Sequence, residues 1–244
     1  MIVILCHPGD SAVVWLHGAL RTLGLDTIDL VTVEQLVYSR RIVHRLGADG
    51  DTGAIHLASG RVLRPEAITG LINRVQYLPT AHFAAADAAE RAYATEELGA
   101  FMLAWLDSVA GRVINPPLPF ALGGGTFQTA TTIYLAAMAG LPTVAWRAST
   151  TESADDDTLP PPATHCAIAF DGRLFGALLP RQLQEGCRRL AALLGVPLLQ
   201  ILLHHSPERG WQFVGANGAA DFRLGGKPFA AAMAQALTGA EPDE

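Results

Sequence analysis

The sequence predicts an α/β protein: an N-terminal lobe built on a parallel βα sheet, then a reduced α+β lobe with antiparallel strands. Three observations carry that prediction. Residues 1–33 run strand, loop, helix, strand, which opens a βαβ unit and places its two strands parallel in one sheet. Half of the 244 residues are hydrophobic and 16% are charged, ample material for a core. Beyond residue 164 the pattern changes to hairpins, with Asp171-Gly172 as one turn.

Residues 1–6 are a β-branched, apolar strand, and His7 to Ser11 a tight loop. Residues 11–23 carry Val14, Leu16, Leu20 and Leu23 near helical spacing, with Asp10 or Ser11 as N-cap and Gly24 as the stop. Residues 28–33 are the second strand. In such sheets ligands sit beyond the carboxyl ends of the strands, so His7 and Asp10 fall on the functional edge. The first helix points its N-terminus there, a natural place for an anion. Residues 34–45 read as a short helix or irregular piece entering a strand. Residues 54–57 and 61–63 form a small hairpin around Ser59-Gly60. Residues 70–75 are an apolar strand ending in Asn73-Arg74, and 81–109 a long helix. Residues 112–115 are a strand broken by Pro116-Pro117.

A triple glycine, Gly123 to Gly125, precedes a helix over 126–139. It matches neither GxxxxGK[ST] nor GxGxxG, so a flexible loop is the expectation. Residues 141–146 read as a strand. Residues 149–164 are acidic, then proline-rich, and read as an exposed linker. A hairpin over 165–177 and an amphipathic helix over 180–194 follow. Residues 198–203 then form a continuous apolar strand, 204–210 a polar turn, and 211–216 a second strand that delivers Asn217 at its end. A helix over 228–237 closes the chain.

The net charge of −6 gives no reason to expect binding to a nucleic-acid backbone. Cys6, Cys166 and Cys187 are far apart and odd in number, which fits buried thiols in a reducing compartment. No run reaches the length of a membrane span, and the expected location is cytoplasmic. There is no GxSxG element for a serine hydrolase. The adjacent His204 and His205 would face opposite ways on a strand, so they make a poor metal pair. Lys227 is the only lysine, hence the only candidate for lysine chemistry.

Read together, MIVILCHPGD and its helix, LINRVQYLP, a long helix reaching RVINPP, and a helix followed by AGLPTVAW resemble the ATP-grasp superfamily, in its RimK and glutathione-synthetase-like branch. Arg74, Ile114 to Pro117 and Gly140 to Val144 stand where that branch has an arginine-bearing strand, an "INPP" element and a "GLPxP" helix end. The segment RLAALLGVPLLQILLHHSPERGWQFVGANGAADF is similar to the "LG…GID…DGxxxFLEVNPxPxF" segment. The resemblance implies a pre-ATP-grasp-like lobe over 1–110, a connecting segment over 111–148, a linker in place of the lid over 149–164 and a reduced ATP-grasp-like lobe over 165–240. It also implies ligase chemistry, in which a carboxylate is activated by ATP with magnesium held on carboxylates and the phosphates held by lysines.

This chain departs from that pattern. The family's "EVN" reads Gly215-Ala216-Asn217, the earlier metal aspartate falls near Leu202, and the nucleotide-binding lysines have no counterpart. The expectation is a degenerate, shortened pseudoenzyme: a binding or accessory protein in a biosynthetic or peptide-modification pathway, with no cofactor. His7, Asp10, Arg74, Asn115 and Asn217 are its candidate ligand-binding residues, and no metal ligand is expected. Its expected partners are an active enzyme or a peptide or small-molecule ligand, with homodimerisation by analogy and neither nucleic acid nor membrane. One alternative is an active ATP- and magnesium-dependent carboxylate–amine ligase, with Arg147 or Arg173 on the phosphates and Asp155 to Asp157 supplying the metal site. A second is a small-molecule enzyme using Cys6, His7 and Asp10.

Overall fold

A computed structural model describes residues 1–45, 52–119, 121–125, 127–144 and 160–239. It divides into two compact units, one of residues 1–124 with 230–244, the other of residues 125–229.

The first unit is organised around β1 (Ile2–Cys6), whose five residues are all buried. β1 lies between β2 (Ile28–Thr32) and β6 (Gly70–Asn73), and β7 (Arg112–Ile114) joins beside β6, giving a parallel sheet in the order β2-β1-β6-β7. The helix α1 (Ser11–Thr22) connects β1 to β2 and buries Val13, Leu16 and Leu20. Each fully buried side chain of that size contributes roughly 1.5–3 kcal/mol. A short helix, α2 (Val33–Val37), starts with a reciprocal capping box between Thr32 and Gln35. Then β3 (Arg41–Arg45), β4 (Thr52–His56) and β5 (Val62–Leu63) make a three-stranded antiparallel sheet in that order. The helix α3 (Ala88–Asp107) anchors by its C-terminal end, where Met102, Trp105 and Leu106 enter the core with Ile55, Leu57 and Leu71.

The expected helix over 81–109 is interrupted. Ala81–Phe83 is a separate 3-10 turn, and Asp87 caps α3 by accepting from the backbone N–H groups of Ala89 and Glu90. An aspartate placed to cap starts a new helix rather than continuing an old one.

In the second unit α4 (Thr129–Met138) and α5 (Arg181–Leu194) pack with a four-stranded antiparallel sheet. Its order is β11-β10-β8-β9, from β8 (His165–Phe170), β9 (Arg173–Gly176), β10 (Leu198–Ser206) and β11 (Gly210–Asn217). Asp171 and Gly172 turn the β8–β9 hairpin with φ of 47° and 72°, the left-handed pair that the Asp-Gly dipeptide announces. The last helix, α6 (Gly226–Thr238), belongs to this unit up to Phe229 and to the first unit from Ala230.

Two further expectations are corrected. The turn expected over 204–210 is narrower, at 207–209, because the ladder runs on through His204↔Gln212, His205↔Trp211 and Ser206↔Gly210. The His205 ring lies 4.6 Å from that of Trp211, a cross-strand contact that makes an extended backbone worth keeping there. Residues 141–144 form no strand, only a bridge from Thr143 to Phe213. The expected linker over 149–164 lies outside the described residues up to 159, as do Arg147 and Asp155 to Asp157.

Candidate functional site

The carboxyl edge of the parallel sheet gathers four of the five predicted residues. His7 follows β1, Asp10 caps α1, Arg74 follows β6 and Asn115 follows β7. Asn217 lies in the other unit, at the end of β11.

At that edge the side chains serve each other. The Asp10 carboxylate accepts from Val13 N–H at 3.2 Å and receives Arg74 Nε at 2.7 Å. Both side chains are largely covered, at 16% and 8% exposure. The N-terminus of α1 is therefore already filled by the chain's own anion, and the expectation of an anion site there is overturned. Asn73, 2% exposed, ties the loops together. Its Nδ2 donates to Asn115 O at 3.1 Å and Leu122 O at 2.6 Å, and its Oδ1 accepts from Val75 N–H. Asn73 is not among the residues that the sequence singles out, although an asparagine ending an apolar strand is the available signal. Asn115 is 2% exposed with φ at 58°, a left-handed geometry that asparagine tolerates better than most residues. The next residue, Pro116, disfavours the right-handed helical region at this position.

His7 differs from its neighbours. Its Nε2 accepts from Gln76 N–H at 3.0 Å, which assigns the proton of the neutral ring to Nδ1. Nδ1 is buried with no hydrogen-bond partner, and Tyr77, 60% exposed, stacks on the ring at 4.2 Å. Burial lowers the pKa of His7, against the opposing pull of Glu34 and Asp10, so the neutral form is favoured.

Cys6 is no nucleophile. Its thiol is 3% exposed, points to Val31 O at 4.0 Å, and burial pushes its pKa up to about 11. That removes the attacking group from the reading built on Cys6, His7 and Asp10.

The triple glycine answers to packing. A Cβ on Gly124 would collide with the Pro116 carbonyl, and one on Gly125 with the Gly218 backbone, to which Gly125 is also bonded (Gly218 N–H to Gly125 O, 2.9 Å). The glycines permit close backbone approach in place of the expected flexible loop.

In the second unit β10 and β11 set Gln200 opposite Asn217 and Leu202 opposite Gly215, on one face of the sheet. Leu199, Ile201 and Leu203 fill the core from the other face. Gln200 Oε1 accepts from Asp221 N–H at 2.7 Å, and Asp221 pairs with Arg223. Asn217 Oδ1 is buried without a partner. The resemblance in sequence sets Gly215, and a position near Leu202, against the ligase family's metal carboxylates. Leu202 and Gly215 are direct cross-strand neighbours, and a Cβ on Gly215 would meet only Leu202 Cδ1, at 3.7 Å. A hard cation does not fit this donor set: leucine and glycine side chains offer no oxygen, and Asn217 offers one neutral one. Among the described residues no group of three or more His, Cys, Asp or Glu could hold a metal. Lys227 sits exposed at the start of α6. Arg173 stacks over Phe175, 5.3 Å from its centroid. No helix among the described residues is long and apolar enough to cross a membrane.

No protein-family model matches the sequence, and no curated protein matches it. Solved structures do match the fold. The macrocyclase MdnC of Microcystis aeruginosa MRC, bound with precursor peptide MdnA, superposes with a TM-score of 0.71 at 12% identity, over 98% of this chain and 99% of that one. A RiPP-associated ATP-grasp ligase of Chryseobacterium gregarium, in complex with ADP and a leader and core peptide, gives 0.72 at 12% identity, over 99% and 97%. D-alanyl-alanine synthetase A of Vibrio cholerae gives 0.54 at 9% identity, over 98% and 97%. The chain has the ATP-grasp fold.

Proposed function

We propose that this protein is an ATP-grasp-fold binding protein without ordinary ligase chemistry, which recognises a peptide and serves as an accessory in a peptide-modification pathway. The observation that carries this reading is the Leu202–Gly215 cross-strand pair, which offers no side-chain oxygen at positions that the sequence resemblance sets against the ligases' metal carboxylates. Losing the metal and its carboxylates removes several kcal/mol of transition-state stabilisation that arginine cannot replace. The peptide part is supported by the neighbours in fold that were crystallised with precursor peptides. His7 and Asn217, each with a buried polar atom that has no hydrogen-bond partner, remain the candidate ligand residues of this reading in their respective units, while Asp10, Arg74 and Asn115 hold the sheet edge in shape. Self-association into a homodimer belongs to the same proposal.

Calorimetry with Mg-ATP tests it. The expected result is no saturable binding; micromolar affinity with ADP released on turnover overturns it. A gain-of-function arm sharpens the test. Leu202→Asp with Gly215→Glu restores two carboxylates across one strand pair, and magnesium binding is expected to appear in the double variant alone.

A further inference from the structure

The three-stranded sheet of the first unit carries a basic groove that the reading above does not use. In β3, Ile42 packs against the core and the His44 ring meets Phe101 edge-on at 5.7 Å. Strand alternation therefore puts Arg41, Val43 and Arg45 together on the opposite face. The register Arg41↔His56 and Val43↔Ala54 brings His56 and Ala54 to that face as well. Arg64 and Glu66 complete a groove of about 230 Å³. Among the described residues it thus holds three guanidinium groups against one carboxylate, on a chain whose net charge is −6. Arg61, Arg74, Arg181 and Arg223 each pair with an acid, whereas no ion pair joins Arg41, Arg45 or Arg64 to another described residue. β3 is also an edge strand of its sheet, so its outer side is not paired with another described strand.

We infer that this groove docks an acidic, extended segment of the peptide partner; the inference rests on the peptide-binding reading and adds where and by what chemistry the partner is held. Arg41 and Arg45 are about 13 Å apart along an extended strand at roughly 3.3 Å per residue. A segment lying alongside β3 places alternate side chains next to Arg41, Val43 and Arg45. Its pattern is acidic, any, apolar, any, acidic. Guanidinium forks bind carboxylates through paired N–H donors, and Val43 with Ala54 supplies the apolar floor between them. A nucleic-acid strand fits less well, because that floor and Glu66 interrupt the basic track.

The test is fluorescence anisotropy of the full chain at low salt, with a labelled peptide carrying glutamate, valine and glutamate at alternate positions between serines. The comparisons are the same peptide with glutamine for glutamate, the Arg41→Gln/Arg45→Gln double variant, and Arg181→Gln as an exposed control. Binding is expected to weaken about tenfold in the double variant and with the glutamine peptide, to stay unchanged in Arg181→Gln, and to fall as salt is added. The glutamine peptide reads the same contacts from the ligand side, so a double variant that fails to fold leaves the test standing. Equal binding of both peptides, no binding of the glutamate peptide, or tighter binding of a single-stranded DNA competitor each overturns the groove assignment. None of these outcomes touches the nucleotide calorimetry on which the broader reading falls.

Discussion

The two ends of strand that face outward in this protein, the β1/β6/β7 edge and the β10/β11 face, use polar residues in opposite ways. At the first, Asp10, Arg74 and Asn73 have their hydrogen-bonding groups engaged by the chain itself, across separations of 42 to 64 residues. At the second, Gln200 is engaged but Asn217 keeps a buried acceptor with no partner, beside the apolar Leu202–Gly215 pair. A polar side chain at a strand end is therefore not a ligand group by position alone. What separates a structural from a binding role is whether the fold already satisfies it.

That comparison can be broken most forcefully at Gly124. Its Cβ would overlap the Pro116 carbonyl in the loop beside the first edge, so Gly124→Ala is expected to cost about 4 kcal/mol or more, or to abolish folding. The matching change on the other face, Gly215→Ala, meets only Leu202 Cδ1 and is expected to be near neutral; urea unfolding of both compares the two regions directly. Next comes Arg74→Met, which leaves the Asp10 carboxylate largely covered and unpaired. A loss of about 3 kcal/mol is expected, somewhat less if water reaches Asp10. Asn73→Ala removes three hydrogen bonds at a buried position and is expected to cost about 2 kcal/mol, whereas Asn217→Ala should change stability by less than about 0.5 kcal/mol while weakening any peptide bound at that face. Equal costs at Asn73 and Asn217 would erase the distinction.

The cysteines give the smallest and most specific effect. Burial pushes Cys6 up to about 11 and Cys187 up to about 12, so the folded state favours the neutral thiols. Because the folded values lie above the ordinary thiol value of 9.0, this contribution to stability is complete below pH 9 and is lost as the pH rises through 11 and 12. Iodoacetamide at pH 8 is expected to leave both unlabelled until the protein is unfolded, as mass spectrometry would read.

Local chemistry made much of the fold legible. The β-branched run of β1, the cap at Asp10 and the Asp171-Gly172 turn each state their conformation within a few residues, because steric preference and nearest-neighbour hydrogen bonds act at that range. Four of the five candidate residues lie at one sheet edge because a βαβ opening dictates which ends of the strands face outward. Their roles were not legible. Asp10 could have capped a helix and still held an anion nearby; only the arrival of Arg74 from 64 residues away closes that possibility. The Ser, Pro, Glu, Arg and Gly of 204–210 predict a turn over the whole stretch, whereas the pairing of His204 and His205 with Gln212 and Trp211 across the ladder is a tertiary feature.

The sequence by itself determined an α/β protein with a parallel first sheet and an antiparallel second half. It could do so because hydrophobic periodicity and turn chemistry are local. Only the tertiary structure decided that Leu202 and Gly215 are one cross-strand pair, that Arg74 answers Asp10, and that Arg41, Arg45 and Arg64 line one groove in which, among the described residues, none of them forms an ion pair. Those facts depend on strand register and on contacts between distant segments, which a one-dimensional pattern does not contain.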